Sequence, residues 1–230
     1  SNLMEAIAGT EAFDKEYTNI SQIVRMEAIP CIIIVPADSD IYNLEDLKGK
    51  TIATPAAGTS SQVFVKHILT AAGLDLKNDF NLREGGISDG GDLYRDRLVD
   101  AIITTTGYPN ATLTDLTMTI NSRFIPLDEQ TIANLEEMNA GYSKYTYVDD
   151  AYKNMGTGYT TIASAGVIIV NNDMSEDEVY WLTKTINEKW DSDVAASCSW
   201  LTNITEEMRA SSRTPMHPGA ERYYKEIGVR

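Results

Sequence analysis

Basic residues, histidine and cysteine are all scarce in this 230-residue chain. Lysine and arginine number 19 against 34 aspartates and glutamates, a net charge of −15. A surface so poor in positive charge excludes a nucleic-acid binder, which must neutralise phosphates, and argues against adsorption to anionic lipid. It does not exclude an acidic ligand, because a local field can oppose the net charge. The two histidines, His67 and His217, are far in sequence from both cysteines, so metal-ligand spacing is absent. There is no Gly-x-Ser-x-Gly elbow, no His-Glu-x-x-His, no Cys-x-x-Cys and no Gly-Lys-Ser/Thr phosphate loop. With no nucleophile–base pair in view, the sequence predicts a protein that is not an enzyme and that uses no metal and no cofactor. No stretch approaches the roughly 20 apolar residues of a membrane span, so direct membrane insertion of this chain is not expected.

Two further questions stay open on composition. Cys31 sits in an apolar run and Cys198 in a predicted helix; they are either two buried thiols or one disulfide. The chain opens Ser1-Asn2-Leu3-Met4 with no signal peptide. A removed targeting segment, a cytosolic protein and a truncated chain all fit that opening.

What is present is an alternation of strand and helix patterns, with hydrophobic residues at 43% to supply a core. The runs Ile29–Val35 and Ala163–Val170 are continuous, apolar and rich in β-branching, the mark of strands buried on both faces. Thr51–Thr54, Leu82–Gly86, Asp100–Thr105 and Phe124–Leu127 read as further strands. A helix follows Thr59, with Gln62 completing a capping-box pattern and Gly73 placed to end it. Other helices are predicted over Asp92–Leu98, Thr112–Ile120, Thr131–Met138, Val194–Leu201 and Tyr223–Glu226, and one after the Ser175/Glu178 capping box. The Tyr-rich stretch Gly141–Gly158 has no clear period. The pattern predicts an α/β fold, a mostly parallel sheet with helices on both faces.

Two loops stand out chemically. The segment from Thr54 to Ser61 leaves a strand and opens a helix, where unpartnered N–H groups and the helix dipole favour an anion. Gly58, Thr59, Ser60 and Ser61 are candidate ligand contacts, and plain helix capping is the competing account. The segment Thr104–Asn110 leaves a buried strand in the same way, at the strand end where open α/β sheets hold ligands. Thr106, Gly107 and Tyr108 are the candidates there, and a simple strand-to-helix turn is the alternative. His67 reads as a packed residue and His217 as a loop anchor. The pairs Asp38/Asp40 and Asp89/Asp92 lack EF-hand spacing and read as solvated loops.

Taken together the segments resemble a known family. Leu44-Glu45-Asp46-Leu47-Lys48-Gly49-Lys50, then Gly58-Thr59-Ser60 and Ala71-Ala72-Gly73-Leu74, are similar to bacterial solute-binding proteins. Val99-Asp100-Ala101 with Gly107-Tyr108-Pro109-Asn110 resembles the TAXI subgroup of TRAP transporter receptors. So do Pro215-Met216-His217-Pro218-Gly219-Ala220 with Tyr223-Tyr224, the more specific motif. The resemblance implies a type II periplasmic-binding-protein fold, with two lobes joined by crossing strands near Pro36–Ser39 and Thr160–Ser164. Residues 1–46 plus 161–230 would form lobe I, incomplete at its N-terminus, and residues 47–160 lobe II. It further implies capture of a small carboxylate, such as a glutamate-like amino acid or a dicarboxylate, by lobe closure. Delivery would be to a TRAP-type ion-coupled permease, from a periplasmic or otherwise extracytoplasmic place, with a lipid anchor on the intact precursor as one option. An effector-binding sensor of the same fold is the alternative. Placing Cys31 and Cys198 in one lobe favours a disulfide or shared core between them.

Overall fold

The computed structural model describes residues 2–11, 13–197, 199–202 and 204–230. Cys198, and with it any pairing to Cys31, lies outside the described residues; Cys31 itself is a fully buried thiol. Along the chain the elements are α1 (Asn2–Ala8), β1 (Ile20–Pro36), β2 (Thr51–Pro55), α2 (Ser60–Ala71) and β3 (Asn81–Gly85). They continue with α3 (Ile87–Arg95), β4 (Ala101–Thr105), α4 (Ala111–Thr119), β5 (Ser122–Phe124) and α5 (Glu129–Met138). The last are β6 (Tyr142–Thr146), β7 (Thr160–Asn171), α6 (Glu176–Glu188), α7 (Glu206–Ala210) and α8 (Pro218–Glu226).

The chain divides into two compact units, Ser1–Ala28 with Ala165–Arg230, and Ile29–Ser164. It passes between them inside β1 and inside β7. The second passage falls at the end of the expected 160–164 crossing. The first does not fall at 36–39 but at 28/29, so residues 29–46 belong to the second unit rather than to lobe I. The cause is β1, which is 17 residues long. Its second half pairs antiparallel with β4, Ile32 opposite Thr104 and Ile34 opposite Ile102, and with β5, Ile34 opposite Phe124. Those pairings hold 31–36 in the second unit's core.

In the second unit β2 lies between β3 and β4 and is parallel to both. The sheet runs β3-β2-β4-β1-β7-β6, with β5 also on β1 and β6 antiparallel to β7. Side chains of β1 alternate between its two faces, as strand geometry requires. Cys31, Ile33 and Val35 enter a core with Phe64, Ile68 and Leu135, from α2 and α5. Ile32 and Ile34 enter another with Tyr94 and Leu116, from α3 and α4. This is the physical reading of a run that is apolar without a break.

Helix α2 is set by its ends. Thr59 accepts a bond from Gln62 N, and Gly73 takes φ +78° while its N–H reaches Thr70 O and Leu74 N reaches Leu69 O. That pair of bonds is a Schellman ending. Helix α3 starts at Ile87, five residues before the expected start at Asp92. Gly90 and Gly91 lie inside the helix and serve close packing. A Cβ on Gly90 would lie 3.2 Å from Ala53 Cβ, and one on Gly91 3.2 Å from Leu116 Cδ1. Asp89 and Asp92 are therefore helical, Asp89 turning back to accept from Gly86 N. Asp38 and Asp40 pair with Arg97 and Lys50.

In the first unit α6 packs on α8. A Cβ on Gly219 would sit 2.3 Å from Glu176 O, so only glycine permits this approach. His217 caps α8, its Nδ1 accepting from Gly219 N at 3.2 Å, and Pro218 fills the first turn. Below them Tyr224 donates to Ile23 O and accepts from Asn187, and Arg209 donates to Asn187 Oδ1 and Ile204 O while lying over the Trp190 ring. The expected helix over 194–201 is a π turn at Trp190–Val194 followed by short 3-10 turns.

Candidate functional site

Because β2 and β4 are parallel neighbours, their carboxyl ends lie at one edge of the second unit's sheet. The loop carrying Gly58–Ser61 leaves β2 there, and the loop carrying Thr106–Tyr108 leaves β4. The structure therefore brings both sequence-chosen segments to one strand edge.

The first loop is built around its cap. Gly58 has φ +77°, a conformation that suits glycine. Its N–H donates to Gln62 Oε1 at 3.2 Å. Thr59 Oγ1 accepts from Gln62 N at 3.2 Å and donates to Ala56 O at 2.7 Å. Gln62 Nε2 in turn bonds Glu84 on β3. The Thr59 hydroxyl is thus committed to the helix. Ser60 and Ser61, the first two helical residues, have amides with no carbonyl one turn back, and they keep the capacity to receive an acceptor. Thr59 and Ser60 are exposed, Ser61 half-buried.

The second loop is held by aromatic packing. Asn110 caps α4 by accepting from Leu113 N, and its Nδ2 donates to Thr106 Oγ1 at 2.9 Å. Asn110 N donates to the Tyr152 oxygen at 2.9 Å. The Tyr108 ring meets Tyr147 and Tyr152 edge-on, with centroids 5.7 and 5.4 Å away, and the Tyr108–Pro109 peptide is cis. Tyr108 remains half-buried, so one part of the ring faces outward. Sequence reasoning missed Tyr152 as the anchor. Its only signal was membership of a Tyr-rich stretch without a period.

Other tyrosines in and beside that stretch are structural. Tyr142 stacks on Phe64 at 4.5 Å and its OH lies 2.7 Å from His67 Nδ1, which accounts for His67 as a packed residue. Tyr159 donates to Ile125 O. Burial pushes the phenols of Tyr147 and Tyr159 far up, and that of Tyr152 up to about 12 against the pull of the Asn110 N–H. Burial likewise pushes the Cys31 thiol up, which leaves it a poor nucleophile.

Where the turn from β3 into α3 meets the ends of β2 and β4 there is a recess bordered by Pro55, Gly86, Ile87 and Thr104, of about 10 Å³, the scale of one water. The Thr54 hydroxyl beside it is buried without a partner. Among the described residues no three His, Cys, Asp or Glu side chains are grouped to hold a metal, and no helix is long and apolar enough to cross a membrane.

The sequence of residues 1–228 matches the NMT1-like family across its length. The chain belongs to the NMT1-like family. Its α/β architecture is shared with XAC2383 from Xanthomonas citri, solved bound to ATP, at 15% identity and a TM-score of 0.50, over 91% of this chain and 70% of that one. A TctC solute-binding protein from Polaromonas is similar at 13% identity and TM-score 0.49, over 84% and 62%. A periplasmic sulfonate-binding protein, SsuA of a putative ABC transporter from Methylobacillus flagellatus, is similar at 16% identity and TM-score 0.42, over 82% and 45%. This NMT1-like chain thus spans less than two thirds of the length of two of these three.

Proposed function

We propose that this chain is the receptor of a solute transporter: it captures a small carboxylate outside the cytoplasm and passes it to a TRAP-type permease. One observation carries the reading. Two loops with exposed helix-start amides, hydroxyls and an aromatic face leave the carboxyl ends of adjacent parallel strands, β2 and β4. Such an edge can hold a ligand by hydrogen bonds and ring contact. Ser60 and Ser61 would meet the carboxylate, with Gly58 and Thr59 shaping the turn, and Thr106, Gly107 and Tyr108 would wall the ligand. The side chains best suited to proton transfer are otherwise engaged, His67 with Tyr142 and His217 as a cap, which supports binding rather than catalysis. The TAXI-like ending of the sequence supports a TRAP partner.

The test is calorimetry of the intact protein with L-glutamate and with succinate, on wild type, Thr59→Ala and Tyr108→Ala. The expected result is saturable binding of one of them, at least tenfold weaker in Tyr108→Ala. Thr59→Ala should also lose about 1 kcal/mol of stability with its cap, so thermal melts accompany the titrations. Unchanged affinity in both variants would sink the assignment.

A further inference from the structure

The strand edge that carries the two loops has a third segment at it. Strand β3 is parallel to β2, as β4 is, so the turn from β3 into α3 leaves the sheet at the same edge. Helix α3 is nine residues long and opens after Gly86. Gly90 N is the first of its amides to reach a carbonyl, Gly86 O at 3.0 Å. The amides of Ile87, Ser88 and Asp89 precede it and have no carbonyl one turn back. At α2 and α4 the side chains of Thr59 and Asn110 cover such amides; Gly86 has none to offer. Neither backbone nor packing asks for glycine at 86. Its φ is −75°, and a Cβ there would meet Asp89 Oδ2 at an ordinary 3.4 Å. The missing side chain leaves the helix start open.

It opens onto the recess of about 10 Å³ lined by Thr54, Pro55, Gly85, Gly86, Ile87 and Thr104, the size of one water oxygen. Both threonines are buried. The Thr54 hydroxyl has no hydrogen-bond partner. Thr104, 6% exposed, shares the strand face of Ile102, which packs with Tyr94 of α3 and Leu113 of α4. Its hydroxyl is therefore on the α3 side, and among the described residues it makes no side-chain hydrogen bond. Buried hydroxyls left unpaired are costly, and an acceptor from outside would relieve that cost. The charge beside the recess is negative. Asp89 Oδ2 accepts from Gly86 N at 3.1 Å, so its carboxylate lies against the turn and already supplies the negative charge that a helix start favours. Glu84, next to last in β3, adds another, and Arg83 turns to Leu82 O. A second carboxylate would be repelled here; an uncharged oxygen would not.

We propose that the start of α3 and Thr104 form a third ligand contact at this edge, one that takes the carbonyl oxygen of a carboxamide and so selects a ligand with one carboxylate and one amide end over a dicarboxylate. It rests on the reading of this edge as the ligand site. The amides of Ile87 and Ser88 and the Thr104 hydroxyl donate to the amide oxygen, and the start of α2 keeps the carboxylate.

The test is calorimetry of the intact protein at low ionic strength with two matched pairs, succinamate against succinate and L-glutamine against L-glutamate. The amide should bind at least about tenfold more tightly within a pair. Thr104→Val should abolish that preference by weakening the amide alone. Gly86→Ser separates the effect from misfolding: the new hydroxyl caps α3 from within, so the melting temperature should hold or rise while the amide preference is lost. Equal affinity within each pair that binds, or tighter binding of the acid, overturns the third contact and leaves the edge as the ligand site. An amide preference untouched in both Thr104→Val and Gly86→Ser overturns it too, and marks the recess as filled by water only. If none of the four compounds binds the wild type, the reading of the edge falls, and this contact with it.

Discussion

Single residues explain why the C-terminal motif reads so clearly. In Pro215-Met216-His217-Pro218-Gly219-Ala220, His217 caps α8, Pro218 pre-sets its first turn and Gly219 lets α6 come close. Gly219→Ala should therefore be costly. The new methyl would meet Glu176 O at 2.3 Å and Tyr180 N at 2.7 Å, both backbone atoms that cannot swing aside. Overpacking of this kind costs about 1–3 kcal/mol. Urea denaturation should show the midpoint falling by that equivalent with an unchanged slope, and a neutral result would mean the helices separate freely. The residues in this motif were legible because each has a backbone role tied to its type. Tyr152 and Asn187 were not. Their roles depend on partners 42 and 22 positions away, Asn110 for Tyr152 and Arg209 for Asn187, and no local pattern announces such a partner.

Elements were legible where both ends carry a chemical signal. Helices α2 and α6 are capped by Thr59 and Ser175; the full capping box is made at Ser175, where Glu178 accepts from Ser175 N, whereas Gln62 turns instead to Gly58 N. Helix α3 was misplaced because glycine has two uses, as a turn former and as a site of close approach, and only the packed partner tells them apart. The crossing in β1 was misplaced for a similar reason: Pro36 does end the strand, but the passage between units occurs within it. The cap of α5 carries a pH prediction. Asp128 accepts from Thr131 N at 2.8 Å and from its hydroxyl at 2.7 Å, and these bonds, with the hydroxyl first, hold its carboxyl below the usual range. A lowered folded pKa means the unfolded chain takes up the proton first. The cap's contribution is thus whole above about pH 4 and fades as pH falls through the folded value. Asp128→Asn keeps a good capping residue and removes the titration. Denaturation midpoints measured from pH 5 to pH 2 should fall less steeply in the variant; parallel curves would remove Asp128 from the acid limb.

Across the whole molecule the base limb belongs to tyrosine. Burial pushes Tyr94 and Tyr152 in the second unit, and Tyr224 in the first, up to about 12 from an ordinary value of 10.0. Their hydrogen bonds to Ser122, Asn110 and Asn187 pull the other way and do not prevail. In each case the folded state favours the neutral phenol. Below pH 10 both states hold the proton and the stability is whole. Between pH 10 and about 12 the unfolded chain ionises while the folded one does not, so stability drains away with each step in pH. Because the three residues span both units, neither unit escapes, and a protein already at net −15 gains further negative charge as it opens. Tyrosinate absorbance at 295 nm should therefore include a cooperative step, from the buried phenols, that coincides with loss of helical circular dichroism above pH 10. A smooth titration centred near pH 10 with the helical signal intact would show that the buried phenols ionise within the folded protein, and that burial at Tyr94, Tyr152 and Tyr224 does not set its alkaline stability.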